Sequence, residues 1–171
     1  MTGDALPPLI VMGVSASGKS SVGSALAARL GIPFVDADDL HPQANVDKMA
    51  AGIPLTDDDR WPWLDAGASR LAAGPVVIAC SALKRAYRDR LRTAVPATVF
   101  VHLAGDRDVL EERIADREGH FMPASLLQSQ LDTLEDLGRD EMGFALDFAR
   151  PVDELVDAVV ERVGEGATGD R

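Results

Sequence analysis

Short apolar runs alternate with amphipathic segments along this chain, and the alternation predicts its elements. Leu9-Ile10-Val11-Met12 is continuously apolar, as a strand covered on both faces would be, so residues 9–13 read as a first strand. Val22, Ala25, Leu26 and Leu30 then recur at helical spacing over about 19–30, and Gly31 ends that helix. Pro33-Phe34-Val35-Asp36 is a short second strand, followed by helix formers and turn signals over Asn45–Gly52. Thr56 or Asp57 can cap a helix carrying Trp61, Trp63, Leu64 and Ala68, with Pro62 in its first turns. Pro75-Val76-Val77-Ile78-Ala79-Cys80 reads as a central strand, a basic helix reaches about Ala94, and Thr98–Leu103 is a fourth strand. A helix from about Asp106 breaks at Glu118-Gly119-His120-Phe121-Met122-Pro123, and Pro123 opens another. Phe144–Phe148 is a weak fifth strand. Pro151 starts a last amphipathic helix through Val163, and 164–171 reads as a frayed tail. Strands alternating with helices imply one α/β domain around a parallel sheet with right-handed crossovers.

Between the first strand and first helix lies Gly13-Val14-Ser15-Ala16-Ser17-Gly18-Lys19-Ser20, of the form G-x-x-x-x-G-K-[ST]. Such a P-loop wraps a polyphosphate with its own backbone N–H groups, so side chains at Gly13 or Gly18 would obstruct it. Lys19 reaches the outer phosphates as a point charge, Ser20 offers its hydroxyl to Mg²⁺, and the following helix directs its positive end at the anion. The loop places ATP but does not say what receives the phosphoryl group.

Composition changes this picture little. At 171 residues, 46% apolar and 26% charged, the chain is an ordinary globular one, with no run near the roughly eighteen apolar residues of a membrane span. Met1–Ala5 has neither the basic nor the apolar part of an export signal. Cys80 is the only cysteine and reads as a small buried thiol; a cytoplasmic location is the expectation. Seventeen Lys and Arg against twenty-eight Asp and Glu, a net charge of −11, argue against nucleic-acid or anionic-membrane partners. Local basic clusters still allow a phosphate-bearing substrate.

The second strand delivers Asp36-Ala37-Asp38-Asp39 beside the P-loop, where ligands of open parallel sheets bind. A hydroxyl acceptor needs a group to orient it and take its proton, which assigns Asp38 to the acceptor and Asp36 to the Mg²⁺ water shell. Equally, these carboxylates could cap the next helix, the reading that suits Asp39 best. Lys84, at the exit of the central strand, suits an anionic substrate or the transferring phosphate. Arg113 and Arg117, four apart on one helix face before the loop bearing His120, suit a lid that neutralises the transferring group. His41 either hydrogen-bonds a polar substrate or is incidental, while His102, Trp61 and Trp63 read as packing. Asp57-Asp58-Asp59-Arg60 reads as capping plus one useful arginine.

These blocks taken in order resemble one family. The P-loop, Asp36-Ala37-Asp38 with Leu40-His41-Pro42, Lys48-Met49, Gly52-Ile53-Pro54-Leu55, Asp57–Arg60 with Pro62-Trp63-Leu64, Cys80-Ser81-Ala82-Leu83-Lys84, Tyr87-Arg88, Arg117 with Gly119-His120-Phe121, and Gln130 with Thr133-Leu134-Glu135 are similar to the gluconokinases over about residues 9–163. The resemblance implies an ATP- and Mg²⁺-dependent kinase making 6-phospho-D-gluconate from D-gluconate. It implies a nucleoside-monophosphate-kinase-like three-layer fold with strand order 2-3-1-4-5, acceptor-binding helices at about 38–73, a helical lid at about 113–135, and a homodimer. On that footing Gly13, Ser15, Ala16, Ser17, Gly18, Lys19, Ser20 and Ser21 hold the nucleotide with Arg113 and Arg117, and Arg150-Pro151 lies on the adenine side. Asp38, His41, Lys48, Arg60, Ser81, Lys84, His120 and Gln130 face the acceptor; Lys19, Asp38, Lys84 and Arg117 act in catalysis. Ser20 and Asp36 attend the metal. Ala16 and Ala37 stand where glycine is common and Leu137 where proline is. A methyl at the first two is tolerated if φ is negative. The competing readings are a kinase of another sugar acid or hydroxy acid, shikimate-kinase-like, and a nucleotide sensor without catalysis.

Overall fold

The computed structural model describes residues 6–116 and 124–168. Strands β1 (Leu9–Met12), β2 (Phe34–Asp36), β3 (Val77–Ala79), β4 (Val99–Ala104) and β5 (Gly143–Asp147) form one parallel sheet in the order β2-β3-β1-β4-β5. Helices α1 (Lys19–Leu30), α2 (Gln43–Ala50), α3 (Asp57–Ala72), α4 (Arg85–Ala94), α5 (Arg107–Asp116), α6 (Ala124–Thr133) and α7 (Val152–Thr168) connect and cover it. The last helix takes in Gly164 and continues to Thr168, so the frayed tail expected from Gly164 is helical over those residues.

The continuous apolar runs are explained by burial on both faces of the sheet. Along β1, Leu9 and Val11 enter a core shared with Val22 and Leu26 of α1 and Leu155, Val156 and Val159 of α7. Ile10 and Met12 point the other way, into a core with Trp63, Leu64 and Leu71 of α3 and Tyr87 and Leu91 of α4. β3 divides likewise: Val77 joins the first core and Ile78 the second. Helix starts follow local chemistry. Thr56 caps α3 in a capping box, its hydroxyl accepting from the Asp59 N–H (3.1 Å) while the Asp59 carboxylate accepts from the Thr56 N–H (2.9 Å).

Gly143 opens β5 beside β4. A Cβ there would lie 2.2 Å from the Phe100 carbonyl oxygen, which is backbone and cannot turn aside. Gly143→Ala is therefore expected to destabilise the fold by about 3 kcal/mol or more, through forced separation of β4 and β5, read as a drop in the denaturation midpoint. Leu137 packs partly buried against the second core, which gives the segment after α6 a hydrophobic anchor where a proline is commoner.

Candidate active site

The parallel order brings the carboxyl ends of β1, β2 and β3 to one cleft. Its volume is about 320 Å³, and it is lined by Ser15, Lys19, Asp38, His41, Arg60 and Ser81, with Gln130 on the α6 side. Met49, Ile53, Pro54, Leu55 and Leu126 add an apolar rim; the first four lie in the family-resembling blocks, which assign them no role at the site.

The P-loop joins β1 to α1. At Gly13 (φ +149°) a Cβ would stand 2.8 Å from Ser17 Oγ and 2.9 Å from the Leu103 carbonyl oxygen, so close packing as well as conformation demands glycine. Gly18 caps α1 in the left-handed region (φ +95°). Ala16 is left-handed too, at φ +68°, so the condition for an unstrained methyl is not met there; the cost for an L-residue is about 1–2 kcal/mol. Ala37 avoids this region, and its methyl is buried in the second core. Arg113 donates to the strained Ala16 carbonyl (3.0 Å) and to the Phe148 carbonyl (2.6 Å), lying over the Phe148 ring. It thus ties the P-loop to the β5–α7 connection, which continues to Arg150 and Pro151; Arg150 itself is exposed, near Glu154 at 3.6 Å. The Ser17 hydroxyl is buried and has no hydrogen-bond partner among the described residues, an orphaned polar atom in a loop suited to a polar ligand.

Ser20 Oγ donates to Asp36 Oδ2 (2.7 Å), and Asp36 Oδ1 accepts from the Asp38 N–H (3.0 Å). One carboxylate therefore links the end of the P-loop to the turn carrying Asp38. Lys19 Nζ donates to the Val14 carbonyl (3.0 Å), which holds its charge over the loop. Ser21 is exposed on α1. Burial pushes the Asp38 carboxyl up from its usual range; the Asp36 charge pushes the same way, and Lys19 opposes both.

His41 stacks on Trp63 with ring centroids 4.3 Å apart, and the Trp63 indole donates to the Ala37 carbonyl (2.6 Å). Burial first, then the Arg60 charge, depresses the His41 pKa to about 4, so the ring is neutral at pH 7. Asn45 Nδ2 lies 3.2 Å from His41 Nδ1 and donates to the Asp59 carbonyl (2.8 Å). An amide N–H₂ facing Nδ1 makes that nitrogen the acceptor and leaves the proton on Nε2. Asn45, buried and absent from the sequence-based candidates, thus sets the tautomer of a cleft residue.

The three cations expected to face the acceptor, Arg60, Lys48 and Lys84, are placed differently. Arg60 lines the cleft, steadied by the Leu55 carbonyl (2.8 Å) and the Tyr87 hydroxyl (3.0 Å). Lys48 pairs with Asp59 (2.7 Å), and that bond is the largest cause holding Asp59 down near a pKa of about 2; Lys48 supports the α3 cap and does not line the cleft. Lys84 lies near Asp57 (3.3 Å), which also accepts from Tyr87, and it lines an adjoining depression with Ser125, Gln128 and Ser129. Gln130 closes the opposite wall as a two-point clasp, its Oε1 accepting from the Ser15 N–H (2.7 Å) and its Nε2 donating to Ser15 Oγ (3.0 Å). Arg117 and His120 lie outside the described residues. Cys80 is buried with its thiol pushed up by burial to about 12, which suits packing; His102 is buried on β4.

A phosphate-wrapping loop, an ammonium at its end and a carboxylate across the cleft, on a five-stranded parallel sheet of this order, define a P-loop kinase. The chain matches a family profile described as an AAA domain over residues 9–137. It is 44% identical over 163 residues to the thermoresistant gluconokinase of Escherichia coli (strain K12), covering 92% of this chain and 93% of that one. Identity to the gluconokinase of Gluconobacter oxydans (strain 621H) is 53% over 138 residues, 78% of each. A crystal structure of a gluconokinase from Sinorhizobium meliloti 1021 superposes with a TM-score of 0.90 at 52% identity, over 96% of both chains. The chain belongs to the gluconokinase family. A shikimate kinase from Aquifex aeolicus vf5, at 17% identity and a TM-score of 0.61, shares the fold alone.

Proposed function

We propose that this chain transfers the γ-phosphoryl group of ATP to the 6-hydroxyl of D-gluconate, giving 6-phospho-D-gluconate and ADP. The observation that carries the reading is that Lys19 and Asp38 line one cleft, with the Ser20–Asp36 pair joining the phosphate loop to the turn that carries Asp38, in a chain of this family. Asp38 takes the proton of the acceptor hydroxyl as its oxygen bonds to phosphorus and the bond from phosphorus to the bridging oxygen of ADP breaks. The raised pKa makes Asp38 a stronger base than an exposed aspartate. Lys19 and the loop N–H groups offset the charge that gathers on the phosphate oxygens. Arg60 faces the gluconate carboxylate, while the neutral His41 donates from Nε2 to a sugar hydroxyl.

Ser20 Oγ and the Asp36 carboxylate are hard oxygen donors 2.7 Å apart beside the phosphate loop, a set that fits Mg²⁺, an ion that keeps several waters and takes one or two protein carboxylates with substrate phosphates. Bound there, Mg²⁺ would supply charge neutralisation on the phosphates. Gln130 orients Ser15 of the loop, and Arg113, bonded to the Ala16 carbonyl, is assigned to the phosphate side with the nucleotide. Two further parts of the reading are a cytoplasmic location and a homodimer, the latter tested by sedimentation equilibrium.

The deciding measurement is ADP release with Mg-ATP against D-gluconate, other aldonates, shikimate and nucleoside monophosphates. D-Gluconate is expected to give the highest kcat/KM. A higher value with another acceptor would overturn the substrate assignment, and tight ATP binding without release for any acceptor would overturn the enzymatic one.

A further inference from the structure

One side chain outside the cleft makes a set of contacts that packing alone does not call for. Arg88 of α4 is fully buried, and all five of its N–H donors are used. Nε donates to Glu141 Oε1 (2.7 Å) and Nη2 to Glu141 Oε2 (3.1 Å), a bidentate fork. Nη2 also donates to the Asp136 carbonyl (3.2 Å), and Nη1 donates to the carbonyls of Ala82 (2.9 Å) and Leu83 (3.2 Å). Glu141 is completed by Arg92 (2.6 Å) and the Gly138 N–H (2.7 Å). Burial alone would raise the Glu141 pKa, but these donors outweigh it and hold the carboxyl at about 2.

A buried ion pair is commonly no more stabilising than well-packed apolar residues in its place, so its particular contacts indicate what it is for. Two of those contacts fall on a strained turn. Ala82 is fully buried and left-handed (φ +44°), a conformation an L-residue keeps only where its surroundings impose it. On either side of it Ser81 and Leu83 line the cleft, and the Ser81 carbonyl accepts from the N–H of Gly13 (3.3 Å), the first residue of the P-loop. The Leu83 carbonyl also accepts from the Glu135 N–H (2.7 Å), in the segment after α6.

We propose that Arg88, anchored on Glu141, is a positioning residue for the acceptor: its grip on the Ala82 and Leu83 carbonyls fixes the left-handed turn that presents Ser81 and Leu83 to the cleft. This rests on the functional reading above for the identity of the acceptor. Removing the grip lets the turn relax toward ordinary backbone angles, which withdraws the acceptor wall, while the phosphate loop, which shares one bond with the turn through the Gly13 N–H, is kept in place by Arg113 and Gln130.

The test is R88K, which keeps the charge and one bond to Glu141 but has no planar fork to hold two carbonyls at once. Its KM for D-gluconate is expected to rise at least about tenfold with KM for ATP within about twofold of wild type, and the amides of residues 81–84 are expected to exchange faster with solvent. Both KM values unchanged, or both rising together, would overturn the proposal. If R88K does not fold, E141Q, which keeps the shape and removes the anchoring charge, is expected to shift the same KM ratio by a smaller factor; an unchanged ratio overturns it equally. Wild-type turnover of D-gluconate tests the functional reading on its own. Should another acceptor serve better, the same split is read with that acceptor; should none turn over, faster exchange confined to 81–84 in R88K supports the positioning role and unchanged exchange refutes it.

Discussion

Asparagine at position 38 is expected to lower kcat by at least ~10²-fold while ATP still binds, because the substitution keeps size and hydrogen-bonding but removes the proton acceptor. The Asp38 N–H donates to Asp36 and is untouched by the change, so the loop should keep its shape. Two further measurements separate loss of a base from general damage. Wild-type kcat/KM should fall as pH drops through the Asp38 pKa, and burial beside Asp36 sets that limb above the ordinary aspartate value of 3.8; in Asp38→Asn the limb should disappear. Stability should move the other way. A carboxyl whose folded pKa is raised binds more protons in the folded than in the unfolded state between the two pKa values, so its stability contribution falls as pH rises from the unfolded value and is fully lost above the folded one. Asp38→Asn should therefore melt higher than wild type at neutral pH, with the gap closing in acid below about pH 3.8. A near-normal kcat in Asp38→Asn would remove Asp38 from the base role.

Alanine at Lys19 is expected to lower kcat/KM by roughly 10³-fold or more, the range seen when a cation at a transferring phosphate is lost. Lys19 begins α1, and its ammonium is directed back over the loop by the Val14 carbonyl. Its charge also lowers the Asp38 pKa. In Lys19→Ala the remaining activity should therefore show its acid limb at higher pH than wild type, a shift that poor folding would not produce. Residual activity with an unshifted limb would separate the two residues.

Arg60 and Lys48 show how much of the site was readable before folding. Both are basic residues in blocks that resemble the family, and nothing in their local sequence tells them apart. In the fold, Arg60 reaches the cleft because α3 carries it there between Leu55 and Tyr87, whereas Lys48 is taken up by Asp59, eleven positions away. Lys84 likewise turns to Asp57, so of these three cations Arg60 is the one that lines the cleft. Nothing in the sequence singles out Glu141, and it is its approach to Arg88 that marks it as an anchor.

The sequence by itself determined what depends on neighbouring residues. The strands were legible because burial on both faces demands unbroken apolar runs, the start of α3 because a capping side chain bonds only a few residues on, which left Thr56 and Asp57 as candidates, and the P-loop because its phosphate cradle is consecutive backbone. Tertiary structure decided whatever joins distant positions or depends on a backbone angle. Gln130 meets Ser15 across 115 positions, Arg88 meets Glu141 across 53, and Ala16 and Ala82 are held left-handed by surroundings that no local pattern encodes. The physical reason is that a side chain's role is set by the field and donors around it, and those are supplied by elements that the sheet order alone brings together.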